Sequence, residues 1–156
     1  MVPKIKTAAK LSRILASARA KGDKVVFTNG CFDILHVGHV EYLAKAKKFG
    51  SILVVGLNSD SSVKKIKGPD LPINAQAARA KVLLALHCVD YVVIFNEATP
   101  EKLIEALKPD VLVKGGDWKI KDIVGGEFVR SRGGCVKTIK FVDGYSTTSL
   151  INRMRK

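Results

Sequence analysis

Cysteine, histidine and aromatic residues are scarce in this 156-residue chain, which holds three cysteines, three histidines and only 6% Phe, Trp and Tyr. Cys31, Cys88 and Cys135 are odd in number, far apart and never in a CxxC pair. That spacing argues against a disulfide framework and against a structural zinc site. Few aromatics means few platforms for stacking unpaired bases, and no RRM-like, KH-like or zinc-finger pattern occurs, which speaks against a nucleic-acid-binding module. No apolar run nears the ~20 residues of a membrane span, and the start, MVPKIKTAAK, has no signal-like apolar block. No repeat, low-complexity tract or linker divides the chain. Acidic residues are the minority, 14 against 27 Lys and Arg, for a formal net charge of +13. Such a chain attracts polyanions, which include nucleotides and sugar phosphates as well as nucleic acid, although a basic surface also serves solubility alone. A soluble protein of the reducing cytosol, with no membrane association, is the expectation.

What is present alternates. With 47% hydrophobic residues, a chain of this length can cover both faces of one sheet. Leu11, Ile14, Leu15 and Ala18 fall at helical spacing behind Thr7, so the pattern predicts a capped helix over 7–20, stopped by Gly22. β-rich runs at 25–27, 52–57, 91–95, 111–113 and 136–141 are separated by helical patterns near 37–49, 75–87, 100–108, 122–132 and 146–155. Asn74 is the expected cap of the helix at 75–87, and Thr99 with Pro100 the cap and first residue of the helix at 100–108. The segment 64–73, KKIKGPDLPI, reads as a mobile loop over the sheet edge. The fold class that follows is α/β: a Rossmann-like, doubly wound, five-stranded parallel sheet with helices on both faces and strand order 3-2-1-4-5. A single domain spans 1–156, with 1–22 as a helical lead-in and 23–156 as the core.

Two of the three histidines lie three residues apart in NGCFDILHVGH, residues 29–39, just beyond the first strand. In an open α/β sheet this turn, at a strand's carboxyl end, is a usual phosphate site. A helix starting near Val37 offers backbone N–H groups, Gly38 clears an approach for phosphate, and His36 and His39 reach one anion from the same side. Two imidazoles donating to a triphosphate stabilise charge that builds as a bond to pyrophosphate breaks. A phosphate monoester, with a second pKa of about 6, is already ionised enough to attack unaided. A purely structural reading, with His36 in the core and His39 on the surface, stands beside this one. Lys114-Gly115-Gly116-Asp117-Trp118 closes another strand, where paired glycines let a flat base or ribose approach; the alternative is a Lys114–Asp117 turn pair with Trp118 packing. Ser146, Thr147 and Thr148 head the last helix, as an anion-binding start or as a simple cap.

These residues carry a resemblance. TNGCFDILHVGH resembles the HxGH signature of the cytidylyltransferase-like nucleotidyltransferases. VVFTNGCFDILHVGHVEYLAKAK, VGLNSDSSVKKIKG, VDYVVIF, PDVLVKGGDW and GYSTTSLI together resemble the adenylyltransferase domain of the ADP-heptose synthase family, over about residues 3–155. The resemblance implies transfer of AMP from ATP to D-glycero-β-D-manno-heptose 1-phosphate, giving ADP-heptose and pyrophosphate, with Mg²⁺ accompanying the ATP. It implies catalytic roles for His36 and His39, and for Lys65 and Lys67 from a phosphate-binding loop. It also implies nucleotide contacts from Asn29, Gly30, Phe32, Gly38, Arg79, Lys114, Gly115, Asp117, Ser146 and Thr147, with no protein metal site. Where CTP-using relatives often carry an arginine five residues before the equivalent of Ser146, this chain has Phe141, which agrees with the adenylyl branch. A cytidylyltransferase of a small alcohol phosphate, such as glycerol 3-phosphate, is the alternative enzyme. Relatives are often dimers or larger, so a homo-oligomer is implied. The kinase half of bifunctional relatives is absent from these residues, and the helix close behind Met1 suggests a stand-alone form.

Overall fold

The computed structural model describes residues 4–156; residues 1–3 of the expected lead-in lie outside the described residues. In chain order the elements are α1 (Ala8–Ala20), β1 (Val25–Gly30), α2 (Val37–Lys47), β2 (Ile52–Asn58), α3 (Asp60–Lys67), α4 (Gln76–Ala85), β3 (Tyr91–Phe95), α5 (Glu101–Leu107), β4 (Val111–Gly115), a 3-10 turn (Ile120–Asp122), α6 (Gly126–Ser131), β5 (Cys135–Ile139) and α7 (Thr147–Met154). All strand pairs are parallel, in the order β3-β2-β1-β4-β5, as the alternating pattern predicts.

The strands are buried on both faces, which is why they read as near-continuous runs of Val, Ile and Leu. Beneath α2 and α4, Val26, Leu43, Leu53, Val55 and Leu83 form one core; beneath α1, α5 and α6, Leu11, Val25, Phe27, Ile104 and Leu112 form the other. Thr7 caps α1 by accepting from the Lys10 amide, and Gly22, at φ +93°, makes the turn that ends it.

The order in which strands are added to the sheet reverses between β1 and β4, and these two parallel strands barely pair. Only Val26 with Val111 and Phe27 with Leu112 are in register, whereas β1 and β2 match over six residues. Beyond Phe27 and Leu112 the carboxyl ends therefore splay into a crevice, the place where open α/β sheets take ligands. Tyr42 braces the split from below: its hydroxyl donates to the Val113 carbonyl (3.3 Å) and accepts from Thr28 (2.6 Å). Burial pushes the Tyr42 pKa up to about 12, so the brace stays neutral.

Several local expectations are corrected. The segment 64–73 is not all loop, since Lys64, Lys65 and Lys67 occupy the last turn of α3, capped by Ser59 accepting from the Ser62 amide. Asn74 does not cap α4. Ala75 stands at that position, and the Asn74 side chain instead donates to the Asp33 carbonyl (3.0 Å). Pro100, not Thr99, precedes α5, with no side-chain cap. Helix α6 is shorter than 122–132 because the 3-10 turn ends at Asp122 and a turn through Gly125, at φ +80°, precedes the first helical residue, Gly126. His87 lies beyond α4, which ends at Ala85.

Candidate active site

Asn29, Gly30 and Cys31 form a ridge along the floor of the crevice, with a cavity on each side. One, of about 450 Å³, lies toward α2 and α7 and contains His36, His39 and Thr147. The other, of about 340 Å³, lies toward α5 and the 3-10 turn and contains Asn58, Thr99 and Ile123. The ridge, Lys67, Lys114 and Trp118 line both. Each volume falls in the ~300–1,000 Å³ range usual for small-molecule sites.

The histidines are set by the first turn of α2. His36 is its N-cap, and His36 Nδ1 accepts from the Gly38 amide (3.1 Å) while His39 Nδ1 accepts from the His36 amide (3.3 Å). This reciprocal box uses imidazole nitrogens where serine and glutamate usually serve. Gly38 is required because a Cβ there would lie 2.8 Å from the His36 ring. Its role is thus to let the ring fold back, which differs from the phosphate clearance expected. Burial lowers the pKa of His36; burial, then His36 and Lys67, lower that of His39 to about 4. Both rings are neutral near pH 7, and with Nδ1 accepting, each carries its proton on Nε2. The rings lie side by side, centroids 3.9 Å apart, so two Nε2–H donors come from one place. The Gly38 amide is spent on the box and those of His39 and Val40 on the His36 carbonyl, so the N-terminus of α2 is a poorer anion site than the sequence suggests. Helix α7 takes that part: Ser146 caps it, accepting from the Ser149 amide (3.0 Å), and Thr147 and Thr148 bring first-turn amides to the cavity.

Phe32, at φ +46°, turns the chain between β1 and α2 in a left-handed conformation rare for a large residue. Its ring lies over Gly30, where a Cβ would sit 2.8 Å away, and meets His39 edge-on at 5.4 Å. Asp33 ties this turn to the approach to α4, accepting from the amides of Ile73 (2.6 Å) and Asn74 (2.8 Å). Arg79 does the same from below. Its side chain is fully buried, Nη1 donating to the carbonyls of Cys31 (2.7 Å) and Asn58 (2.9 Å), Nε to that of Asn74 (2.9 Å), and Nη2 to Asp60 (2.8 Å). Arg79 lines neither cavity, and its guanidinium is committed to holding the turn, the start of α3 and the start of α4 together. Of the lysines, Lys67 reaches both cavities and Lys65 neither, because residues two apart on a helix lie on opposite sides of it.

On the opposite lip, the group lying flat on Gly115 and Gly116 is the ring of Phe141. A Cβ on Gly115 would stand 2.6 Å from it, and on Gly116 3.0 Å. Lys114 Nζ sits over the Trp118 ring, 5.4 Å from its centroid, and not against Asp117. Asp117 is exposed and lines an adjoining depression with Phe141 and Lys140. Of the fourteen residues implied by the resemblance, eleven therefore share the larger cavity: Asn29, Gly30, Phe32, His36, Gly38, His39, Lys67, Lys114, Gly115, Ser146 and Thr147; Lys65, Arg79 and Asp117 do not. Tyr42, Cys31 and Tyr145 were not singled out, although Tyr42 continues the three-residue spacing of His36 and His39 along α2.

The model of the cytidylyltransferase-like family matches residues 27–153. The bifunctional protein HldE of Geobacter sulfurreducens is 54% identical over 153 residues, and that of Geobacter metallireducens 56% over 151, covering 98% and 97% of this chain. Each alignment takes 31% of the relative, so the chain spans about a third of the length of the curated relatives it matches. Among solved structures, a lipopolysaccharide core biosynthesis protein from Thermoplasma volcanium superposes with a TM-score of 0.63 at 30% identity, over 80% of this chain and 100% of that one. A pantoate-β-alanine ligase from Francisella tularensis shares the fold, with a TM-score of 0.61 at 14% identity over 97% of this chain and 76% of its own.

Proposed function

Since the chain belongs to the cytidylyltransferase-like family, we propose that it is an adenylyltransferase joining ATP and D-glycero-β-D-manno-heptose 1-phosphate into ADP-heptose and pyrophosphate. The observation that carries this reading is the imidazole pair, held by backbone amides so that two neutral Nε2–H donors face the larger cavity. Extensive identity to HldE proteins and likeness to a lipopolysaccharide core biosynthesis protein support it.

In this reading the triphosphate lies in the larger cavity, its phosphates along His36, His39, Lys67 and the first turn of α7, with the base toward Phe141 and Asp117. The heptose phosphate enters the smaller cavity. One of its ionised oxygens attacks the α-phosphorus across the ridge, the bond from that phosphorus to the bridging oxygen breaks, and pyrophosphate leaves with the electron pair. No proton must move, so the side chains position the reactants and stabilise charge. The Nε2–H groups donate to the oxygens that gain charge as the bond breaks. Arg79 and Asp33 keep the turn in place. Among the described residues no three His, Cys, Asp or Glu side chains converge on a metal position. Mg²⁺ is therefore proposed as the ion that ATP brings, held by phosphates and water.

The cytidylyl alternative is disfavoured by Phe141, an uncharged ring on Gly115 and Gly116. No helix among the described residues is long and apolar enough to cross a membrane; a cytoplasmic, homo-oligomeric enzyme belongs to the same proposal. Pyrophosphate release with ATP or CTP, each against heptose 1-phosphate or glycerol 3-phosphate, tests it. Turnover with ATP and the heptose phosphate is expected; turnover confined to CTP overturns the assignment.

A further inference from the structure

Lys114 is half-buried at the end of β4 and makes no ion pair among the described residues. It lies over the face of Trp118 and near the Cys31 thiol, both weak partners beside a carboxylate. Burial lowers its pKa, as expected for an ammonium short of water and of counter-charge. Strand alternation decides its direction. Leu112 and Lys114 share one face of β4, and Leu112 packs in the core beneath α1, α5 and α6 and lines the smaller cavity. Lys114 rises on that same face, whereas the imidazoles stand on the other, above α2.

Building on the adenylyl-transfer reading, we propose that Lys114, seated over Trp118, anchors the phosphate of the sugar phosphate in the smaller cavity and so serves the acceptor and not the nucleotide. The triphosphate has its own donors on the α2 and α7 side. A second phosphate brought up to the ridge repels it unless a cation lies between them, and Lys114 lines both cavities at that boundary. Elsewhere the wall of the smaller cavity is apolar at Leu112, Ile123 and Val124 and polar at Asn58 and Thr99; Lys67, its other cation, goes to the triphosphate in this reading, and Asp122 is its one carboxylate. That carboxylate repels phosphate and accepts from hydroxyls, which sets a sugar phosphate one way round: phosphate at Lys114, hydroxyls toward Asp122. Trp118, 51% exposed, offers ring surface to the C–H face of the sugar.

The test measures pyrophosphate release by wild type, Lys114→Met and Lys114→Arg, varying ATP and heptose 1-phosphate in turn, with calorimetric titration of ATP and Mg²⁺ in the absence of acceptor. Lys114→Met is expected to raise the KM for the heptose phosphate roughly 10- to 100-fold, the loss of a charge-assisted contact to phosphate. ATP binding should stay within about twofold, as expected when only the other substrate is touched. Lys114→Arg should recover most of the loss, because a guanidinium also donates to phosphate. If Lys114→Met weakens ATP binding and leaves the acceptor KM unmoved, the lysine belongs to the nucleotide and the proposal is overturned, with the transferase reading intact. A wild type that releases no pyrophosphate from ATP and heptose 1-phosphate overturns that reading, and the anchor with it.

Discussion

On one lip of the crevice, residues 29–39 are fixed by hydrogen bonds: Arg79 from α4, Asp33 to the Ile73 and Asn74 amides, and the imidazole box at the start of α2. On the other, the backbone of residues 114–116 is hydrogen-bonded to β5 while the side chains rest on packing, with Phe141 lying on two glycines and Lys114 over Trp118. The exposed rings differ accordingly: Phe141 is 65% and Trp118 51% exposed, while Phe32 is 7%. Groups that stabilise developing charge gain from being fixed beforehand, since they need no reorganisation at the moment of reaction. Groups that receive a base or a sugar need fit, which rings on a glycine backbone give by small shifts. The polar lip is suited to the chemistry, and the apolar lip to choosing ligands.

Breaking the polar lip should have the largest effect. Arg79→Met strands the Asp60 carboxylate and the carbonyls of Cys31, Asn58 and Asn74, and an expected loss of ~3–5 kcal/mol is measurable by urea unfolding. Asp33→Ala frees two amides near the surface, where water can satisfy them, so a smaller cost of about 1–2 kcal/mol should accompany a fall in kcat.

The comparison is sharpened by pH. His39 has a folded-state pKa of about 4 against its ordinary 6.5. As pH falls through 6.5 the unfolded chain takes up a proton that the folded one refuses until about 4. The contribution of His39 is therefore complete above 6.5 and is lost progressively toward 4. Thermal midpoints of wild type and His39→Gln across that window should converge as pH falls. The smallest effect on stability belongs to the other lip: Phe141→Ala should change it by only about 0.5 kcal/mol, as for other surface changes. Its KM for ATP should rise several-fold with kcat nearly kept, a pattern that steady-state kinetics can separate from damage to the polar lip.

Much of this was legible in the sequence, for identifiable reasons. The five strands announce themselves through β-branched runs, and their alternation with helices leaves one sensible sheet order. His36 and His39 stand out by spacing alone. Helix α3 was hidden because it fully buries only Ser62 and Val63, so its sequence shows lysines and little apolar period. That concealment also misplaced Lys65, which a loop could have turned inward and a helix does not. The buried, bracing position of Arg79, expected as a nucleotide contact, has no local mark, since its carbonyl partners come from segments up to 48 residues away. The splay of β1 from β4 leaves no local mark, since it arises from the twist and register of the assembled sheet. Gly38 and Gly115 were expected to admit a ligand; both line the larger cavity, and the space a Cβ would take is filled by the rings of His36 and Phe141.

The central claim is that the imidazole pair acts on the triphosphate and does not merely cap α2. Pyrophosphate release from ATP and heptose 1-phosphate by the His36→Ala, His39→Ala double variant, with its thermal midpoint measured alongside, tests that most directly. The account predicts a kcat lowered by roughly 100-fold or more, as for loss of donors to developing charge, in a protein that still folds. Near-normal release from a folded double variant would contradict it.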